Sequence, residues 1–286
     1  MTLIIILIAL GLDFFLGGLE RFRNFNWFIA LFYWLEKRLG HYKIWDGTFG
    51  LLIVLSIALS GLFLVLFLFD SSWIVKTVIS LLVLIYCLAP EDLDSRLDDY
   101  INALDSEDTS TVTSLTEEFI DNTVINDNDS NEVAIIKSAL VESHKRTFAV
   151  IFWFLVLGVV GALFYRLVNE LDDELNDIRS GFSDSTNILI NILEWPSSRL
   201  MIFGLALAGH LVDALPKWGK AEHLSFEVNN TVLTNAGLGA LQYMPESQLA
   251  GREKSYWIDE FKSLLNRTLI IWLAILGLMT LSGSLS

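Results

Sequence analysis

The feature that most constrains the fold is a run of 21 residues, Phe49 to Phe69, that contains no charged side chain. As an α-helix this run would be about 30 Å long, which matches the hydrocarbon thickness of a lipid bilayer. The composition agrees, because 53% of the 286 residues are hydrophobic, 19% are charged and the mean hydropathy is +0.52. The sequence therefore predicts an all-α integral membrane protein and excludes a set of ordinary soluble domains.

The net charge of −15 is concentrated in one segment. Residues 90–132 contain 14 acidic side chains and a single basic one, Arg96, so the rest of the chain carries a net charge of only −2. Leu93, Leu97 and Tyr100 recur at helical spacing, which predicts solvated helices in this segment. The clustered Lys and Arg side chains that neutralise phosphates are absent, so a nucleic-acid partner is excluded.

Cysteine and histidine usage argues against a metal site. Cys87 is the only cysteine, which excludes an intrachain disulfide and a cysteine-based metal cage. The four histidines form no i, i+4 pair. We therefore predict no metal site built from these side chains.

Three further segments are candidate transmembrane helices: Thr2 to Leu19, Trp73 to Ala89 and Thr268 to Ser282. Lys and Arg are frequent between the first two spans and absent from the turn at 70–72. This bias predicts that segments 18–48, 90–146 and 211–266 are cytoplasmic. Residues 25–39 combine aromatic side chains with a basic end, which suits an interfacial helix; a helix that only packs on the membrane domain is the open alternative.

Two more apolar segments are interrupted at their centres. Phe148 to Val168 contains Gly158 and Gly161, and Ile188 to His210 contains Pro196. Each half has about ten apolar residues, too few to cross a bilayer alone. We therefore expect two re-entrant or broken helical hairpins, and a six-span topology with residues 169–184 outside is the alternative.

The predicted architecture is thus about four transmembrane helices, two hairpins and a helical cytoplasmic cap. We divide the chain into transmembrane helices 1–3 with the interfacial helix (1–89), the acidic cytoplasmic helical segment (90–146), the two hairpins (147–210), a cytoplasmic segment (211–267) and a C-terminal transmembrane helix (268–286).

Several short motifs carry a family resemblance. Trp195-Pro-Ser-Ser-Arg-Leu200, Ala206-Leu-Ala-Gly-His210 and Ala214-Leu-Pro-Lys-Trp218 resemble the AmpE proteins, inner-membrane regulators associated with β-lactamase induction. Asp13-Phe-Phe-Leu-Gly17, Val141-Glu-Ser143 and Tyr165-Arg-Leu-Val-Asn-Glu-Leu-Asp172 resemble the distantly related CobD/CbiB synthases of cobalamin biosynthesis. The resemblance implies a multi-pass protein of the bacterial inner, or cytoplasmic, membrane.

The candidate binding residues come from these motifs and from spacing. Arg166, Asn169 and Asp173 lie at i, i+3 and i+7 on one helical face, and Asp172 lies beside it. Asp13 is costly inside an apolar helix, so function and a structural partner are both open explanations for it. The full set of ligand-binding candidates is Asp13, Glu142, Arg166, Asn169, Asp172, Asp173, Arg199 and His210. No catalytic residue is assigned.

The AmpE resemblance implies a regulatory or sensory protein linked to cell-wall recycling, which would bind a small anionic molecule or a regulatory protein at the cytoplasmic face. Synthases continue the Glu-Ser motif to a Glu-Asn pair, where this chain has Arg146 and Thr147. This departure favours a regulator over an enzyme. The alternatives are an ATP-dependent amide-forming synthase using Mg²⁺ and ATP, as the CobD/CbiB resemblance implies, and a small-molecule transporter built on broken helices. Membrane lipid is the expected partner, and oligomer formation is left open.

Overall fold

The computed structural model describes residues 2–16, 24–42, 45–69, 72–88, 90–120, 130–176, 178, 180–215, 225–226, 228–243 and 255–282. These residues form helices and connecting turns, with no strand among them. The helices are α1 (Thr2–Leu16), α2 (Asn26–Leu39), α3 (Thr48–Leu68), α4 (Trp73–Cys87), α5 (Pro90–Asp105), α6 (Thr109–Ile120), α7 (Asn131–Ser143), a π-helix (His144–Phe148), α8 (Ala149–Leu175), α9 (Gly181–Ala208), α10 (Leu211–Ala214), α11 (Asn229–Leu241) and α12 (Tyr256–Leu281). The expected all-α membrane protein is confirmed.

The chain divides into two compact units. The first contains Met1–Ala89 and Lys145–Glu194, and the second contains Pro90–His144 and Trp195–Ser286. In the first unit α4 packs against α1 and α8, and α2 and α3 also pack against α8. Leu51, Val54, Leu55 and Ala58 form the buried stripe of α3, with the helical spacing that its apolar sequence allows.

Helix α8 is a helical hairpin that turns at Gly158. This residue has φ 66° and ψ −155°, a conformation that a glycine adopts without the steric cost of a Cβ atom. Gly161 packs against the carbonyl oxygen of Trp153, and Lys145 Nζ lies 3.5 Å from Asp173 Oδ1. In a straight helix, residues 145 and 173 would be roughly 42 Å apart. The first predicted hairpin, in the segment that contains Gly158 and Gly161, is therefore confirmed.

The second predicted hairpin is corrected by the structure. Helix α9 continues from Gly181 to Ala208 as one helix, with Pro196 inside it. Close to the proline, the Leu193 carbonyl oxygen accepts a hydrogen bond of 3.1 Å from the Trp153 indole N–H of α8. Serine hydroxyls and neighbouring packed helices compensate backbone groups near a proline in membrane helices, so a proline does not require a chain reversal.

Four stretches are long and apolar enough to cross a membrane by length and composition: Thr48–Leu68, Asn131–Leu175, Gly181–Ala208 and Tyr256–Leu281. Of the four predicted spans, only those in α3 and α12 belong to this set. Helices α1 and α4 have 15 residues each, fewer than the ~20 that a bilayer core requires. Residues 17–19 and 89, at the ends of the two predicted spans, lie outside the described residues.

The second unit contains the acidic helices. Residues 90–120 form α5 and α6, as the helical spacing predicts, and Leu93, Leu97 and Tyr100 are buried. Helix α5 packs against α6, α7 and α12, while α11 packs against α7, α10 and α12. Lys262 of α12 forms ion pairs with Asp94, at 3.2 Å, and with Asp98 of α5. The acidic segment is therefore part of a packed helical unit.

Candidate functional site

A cluster of charged side chains surrounds the second arm of the α8 hairpin. Arg166 and Asn169 are 8% and 2% exposed, which is unusual for a cation and an amide on an amphipathic helix. Asp172 is half-buried, and Asp173 is exposed. These four of the predicted ligand-binding candidates lie together on α8 in the first unit.

The guanidinium of Arg166 is only partly satisfied. Its Nη2 lies 2.6 Å from Glu170 Oε1, one helical turn further along, and its Cζ lies 5.3 Å from the centroid of the Phe25 ring. Its buried Nε and Nη1 atoms have no hydrogen-bond partner. Buried donors are nearly always paired, so the unpaired Nε and Nη1 make Arg166 the candidate anion-binding side chain of the cluster.

Asn169 adds a neutral polar group beside this cation. Its Nδ2 donates a hydrogen bond of 3.0 Å to Asp173 Oδ2, whereas its buried Oδ1 has no partner. Asn169 can therefore accept a hydrogen bond from a ligand, while Arg166 can donate. Together the two side chains offer a donor and an acceptor one turn apart on α8.

Lys145 approaches the same arm from the π-helix. Its Nζ lies 3.5 Å from Asp173 Oδ1, and its charge also attracts the carboxylates of Asp172 and Glu194. A π-helical turn inside an α-helix is frequent at functional sites. The π-helix and the turn at Gly158 together place Lys145 beside a residue that follows it by 28 positions.

Glu194 is contributed by the N-terminal part of α9 and is 2% exposed. The Tyr165 hydroxyl donates to Glu194 Oε1 at 3.5 Å, and Tyr165 is fully buried. The Trp153 indole N–H donates 3.1 Å to the Leu193 carbonyl oxygen, which fixes α9 against the first arm of α8. A buried carboxylate with a phenol and an ammonium nearby is held by partners that offset the loss of its hydration.

The cluster is mixed in charge. It contains three cations, Lys145, Arg146 and Arg166, and four carboxylates, those of Glu170, Asp172, Asp173 and Glu194. One end, around Arg166, offers unpaired donors, and the carboxylates surround Lys145. Such an arrangement can bind a ligand that carries both a negative and a positive group.

The edge of the cluster is exposed. Glu174, near the end of α8, accepts a hydrogen bond of 2.7 Å from the Tyr33 hydroxyl of α2. This hydrogen bond to a carboxylate raises the pKa of Tyr33 to about 12. The contact ties α2 to the arm that carries Arg166.

Three other predicted residues belong to the second unit. Glu142 forms a bidentate pair with Arg96, with N–O distances of 3.2 and 3.3 Å. Arg199 Nη1 donates 3.2 Å to Ser198 Oγ, and His210 Nδ1 lies 2.8 Å from Asp213 Oδ2 at the surface. The binding role of these residues stays a prediction.

Two predicted features lie outside the described part of the chain. Asp13 is on α1, but its side chain is not described. The motif that begins at Ala214 continues through residues 216–218, which are also outside the described residues.

The site-residue prediction omitted Lys145, Tyr165, Glu170 and Glu194. Tyr165 and Glu170 lie within the motif quoted from Tyr165 to Asp172, whereas Lys145 and Glu194 lie outside it and have no helical spacing to Arg166. The predicted hairpin could have identified Lys145 as a residue of the cluster, because a turn at Gly158 brings residues near 145 close to residues near 173.

No group of three or more His, Cys, Asp or Glu side chains among the described residues is placed to hold a metal ion. A Mg²⁺ ion that enters with a nucleotide needs only one or two protein carboxylates, because phosphate oxygens and water complete its coordination. Asp172 and Asp173 are carboxylates of this kind in the cluster.

Comparison with known proteins identifies the family. Residues 6–178 match the family model described as CobD/Cbib protein, which is more than half of the chain. The chain belongs to the CobD/CbiB family. The matched range includes Lys145, Arg166, Asn169 and Asp173, and ends before Glu194.

One relative of this CobD/CbiB protein is the cobalamin biosynthesis protein CobD of Chromobacterium violaceum. The two chains are 32% identical over 111 residues, which is 38% of this chain and 36% of that relative. The match thus spans about a third of the relative's length. No solved structure matches the chain. These matches support the CobD/CbiB resemblance and give no support to the AmpE resemblance in particular.

Proposed function

We propose that this CobD/CbiB protein catalyses an ATP-dependent amide ligation at the bacterial cytoplasmic membrane, with the α8 cluster as its substrate site. The observation that carries the proposal is the buried Arg166, whose Nε and Nη1 have no hydrogen-bond partner. Each of these nitrogen atoms can donate a charge-assisted hydrogen bond to an oxygen of a phosphate or carboxylate group. Family membership over residues 6–178 supports the same choice over a regulator.

The cluster offers separate groups for the two ends of an amino-alcohol phosphate, the substrate class that the family resemblance implies. Arg166 binds the phosphate, and Asn169 Oδ1 accepts a hydrogen bond from the substrate. The carboxylates near Lys145 bind the ammonium group. Amide formation joins the amine nitrogen to a carboxyl carbon that phosphoryl transfer from ATP has activated, and it releases phosphate. The bound ammonium loses two protons in this reaction, one before its attack and one after it, and Asp172 and Glu194 are carboxylates able to accept them.

Nucleotide binding would also require groups that bind Mg²⁺ and the phosphates of ATP. Mg²⁺ bound to ATP would neutralise phosphate charge and orient the leaving group. Asp172 and Asp173 are the residues that would hold such an ion, and Lys145 and Arg146 would contact phosphate oxygens. The carboxylates and cations of the cluster support the proposal of an ATP-dependent ligase.

The test is product formation by the purified, full-length chain in lipid nanodiscs. We expect an amide product by mass spectrometry when Mg²⁺, ATP, a corrinoid carboxylic acid and an amino-alcohol phosphate are supplied. Asp172→Asn should reduce the rate by a factor on the order of 10² or more, since it removes a charged group from the reacting end. Arg267→Gln, which removes an exposed cation paired with Glu260 in the other unit, is the matched control and should leave the rate unchanged.

A second candidate is a regulator that binds an anionic ligand at the same cluster without turnover. Arg146 favours it, because it replaces an acidic residue of the synthase motif and its charge acts on Glu170. Ligand binding that is lost on Arg166→Gln, together with absence of any amide product, would support the regulator and reject the ligase. A deletion strain with unchanged β-lactam-induced expression would then count against the AmpE-type role.

A further inference from the structure

Helix α2 presents an aromatic and basic face that its own unit leaves exposed. The residues of this face, which we call the α2 outer face, are Trp27, Ala30, Trp34, Lys37 and Arg38, and all five are exposed. Trp27 and Trp34 are 46% and 51% exposed, although they are the largest apolar side chains on the helix. Their spacing of seven residues places them two turns apart on one side of α2.

The opposite face of α2 packs into the first unit. Phe28, Phe32 and Leu35 are buried at i, i+4 and i+7, and the Phe32 ring lies 5.0 Å from the Phe182 ring. Tyr33 donates to Glu174. On the outer face itself, the Trp27 indole N–H donates a hydrogen bond of 3.0 Å to the Tyr86 hydroxyl of α4, while the Trp27 side chain stays 46% exposed. These contacts fix the rotation of α2, so the outer face is held away from the core.

The position of α2 along the chain relates it to the bilayer. Residues 40–47 alone separate its end at Leu39 from the start of α3 at Thr48, and α2 packs against α3. Helix α3 has the length and hydropathy of a membrane span. The basic end of α2 therefore lies close, along the chain, to the start of a helix with the length and hydropathy of a membrane span.

The chemistry of the outer face suits the headgroup region. Tryptophan is enriched at the membrane–water interface, and Lys and Arg there attract anionic lipid. The Arg38 guanidinium lies 4.6 Å from the centroid of the Trp34 ring, so a cation and an indole share one position near the end of the helix. Lys37 lies beside them, which adds a second positive charge on the outer face.

We propose that the α2 outer face binds the headgroups of anionic phospholipids, with Trp27 and Trp34 in the interfacial layer and Lys37 and Arg38 on the lipid phosphates. This proposal is independent of the reaction at the α8 cluster. It assigns α2 two roles, because one face carries the packing of the first unit and the other contacts the membrane surface.

The first test measures where the outer face lies. An environment-sensitive dye is attached after the substitution Ala30→Cys. The only native cysteine, Cys87, is buried, so we expect little labelling there. In phosphatidylcholine–phosphatidylglycerol nanodiscs we expect quenching by lipids that carry a nitroxide near the headgroup. The matched control, Ser114→Cys on the exposed surface of the acidic helix α6, should show none. Absence of quenching at position 30, or shielding by a second copy or another protein, would overturn the proposal.

The second test measures the selectivity for anionic lipid. Native mass spectrometry of the detergent-purified chain compares retained phosphatidylglycerol with retained phosphatidylcholine. The double substitution Lys37→Gln/Arg38→Gln should lower this ratio by about fivefold for each charge removed. Arg38→Lys keeps the charge and should keep the ratio, and Arg267→Gln serves as the control in the other unit. An unchanged ratio in the double variant would overturn the assignment of anionic lipid even if position 30 contacts the bilayer.

Discussion

Two arginines, one in each unit, show how differently the same side chain is used. Arg96 in the second unit forms a bidentate pair with Glu142, lies 3.7 Å from Glu118 and stacks 4.4 Å from the Phe119 ring centroid. Arg166 in the first unit has one carboxylate, Glu170, and two buried nitrogen atoms, Nε and Nη1, without a hydrogen-bond partner. The Arg96 side chain thus connects α5 to α6 and α7 through two carboxylates, whereas Arg166 has only Glu170 and leaves Nε and Nη1 available to a ligand.

The largest expected difference between these residues is in ligand affinity. Arg166→Gln should weaken binding of an amino-alcohol phosphate by a factor on the order of 10², because each hydrogen bond to a charged group contributes roughly 1.5–3 kcal/mol. Arg96→Gln should leave the affinity nearly unchanged. Isothermal titration calorimetry on the two variants checks this, and equal losses of affinity would remove the distinction between a binding and a structural arginine.

The next prediction concerns the free energy of unfolding, for which substitution of Arg96 should have the larger effect. Arg96→Gln should lower the free energy of unfolding by roughly 2 kcal/mol, since it leaves the half-buried Glu142 carboxylate without its bidentate partner. Arg166→Gln should cost less, because that guanidinium already lacks partners for two donors. Thermal unfolding in a fixed detergent compares the two, and a larger loss for Arg166→Gln would contradict our interpretation of its unpaired donors.

A smaller effect compares two tyrosines that donate to glutamates in the first unit. Tyr165→Phe leaves the buried Glu194 without one donor and should cost about 1 kcal/mol. Tyr33→Phe removes a donor from the exposed Glu174, and solvent replaces the contact, so its cost should stay within about 0.5 kcal/mol. Thermal unfolding of both variants at neutral pH measures the difference.

The same comparison has a pH dependence. The hydrogen bond to Glu174 raises the pKa of Tyr33 to about 12, so its stabilising contribution is present below pH 10 and is lost as the pH rises from 10 to about 12. Tyr33→Phe should flatten this part of the stability profile. An identical alkaline profile in the variant would show that the contact does not contribute.

The smallest effect concerns the start of α6 in the second unit. Hydrogen bonds from Ser110 and Thr111 lower the pKa of Asp108 from 3.8 to about 2. The cap therefore stabilises α6 above pH 3.8, and its contribution is lost as the pH falls toward about 2. Hydrogen exchange at the first turn of α6 should increase over this range, and Asp108→Asn should remove most of that pH dependence.

Much of the fold could be predicted from local sequence patterns. The charge-free run fixed α3, the spacing of Leu93, Leu97 and Tyr100 indicated α5, and the glycine pair at 158 and 161 marked the turn of α8. Pro196 was misleading, because a proline removes one backbone donor without dictating whether the chain reverses. The helices packed around Pro196 decide whether the chain reverses there, and the spacing of residues in the sequence does not show which helices those are.

The site was predictable to the extent that it lies on one helix. Spacing placed Arg166, Asn169 and Asp173 on a shared face, and the structure adds that Arg166 and Asn169 are buried with unused polar atoms. Lys145 and Glu194 join them through a hairpin turn and the packing of α9, contacts between residues far apart in the sequence.

The sequence by itself therefore determined that this is a helical membrane protein, where most helices lie, and that its acidity belongs to one segment. Apolar length, helical periodicity and charge position are local properties, so they can be counted along the chain. Only the tertiary structure decided that Arg96 is paired with two carboxylates, whereas Arg166 has one and leaves two buried nitrogen atoms without a hydrogen-bond partner. That outcome depends on burial and on partners brought close by the fold, and burial sets the energy of an unpaired charge.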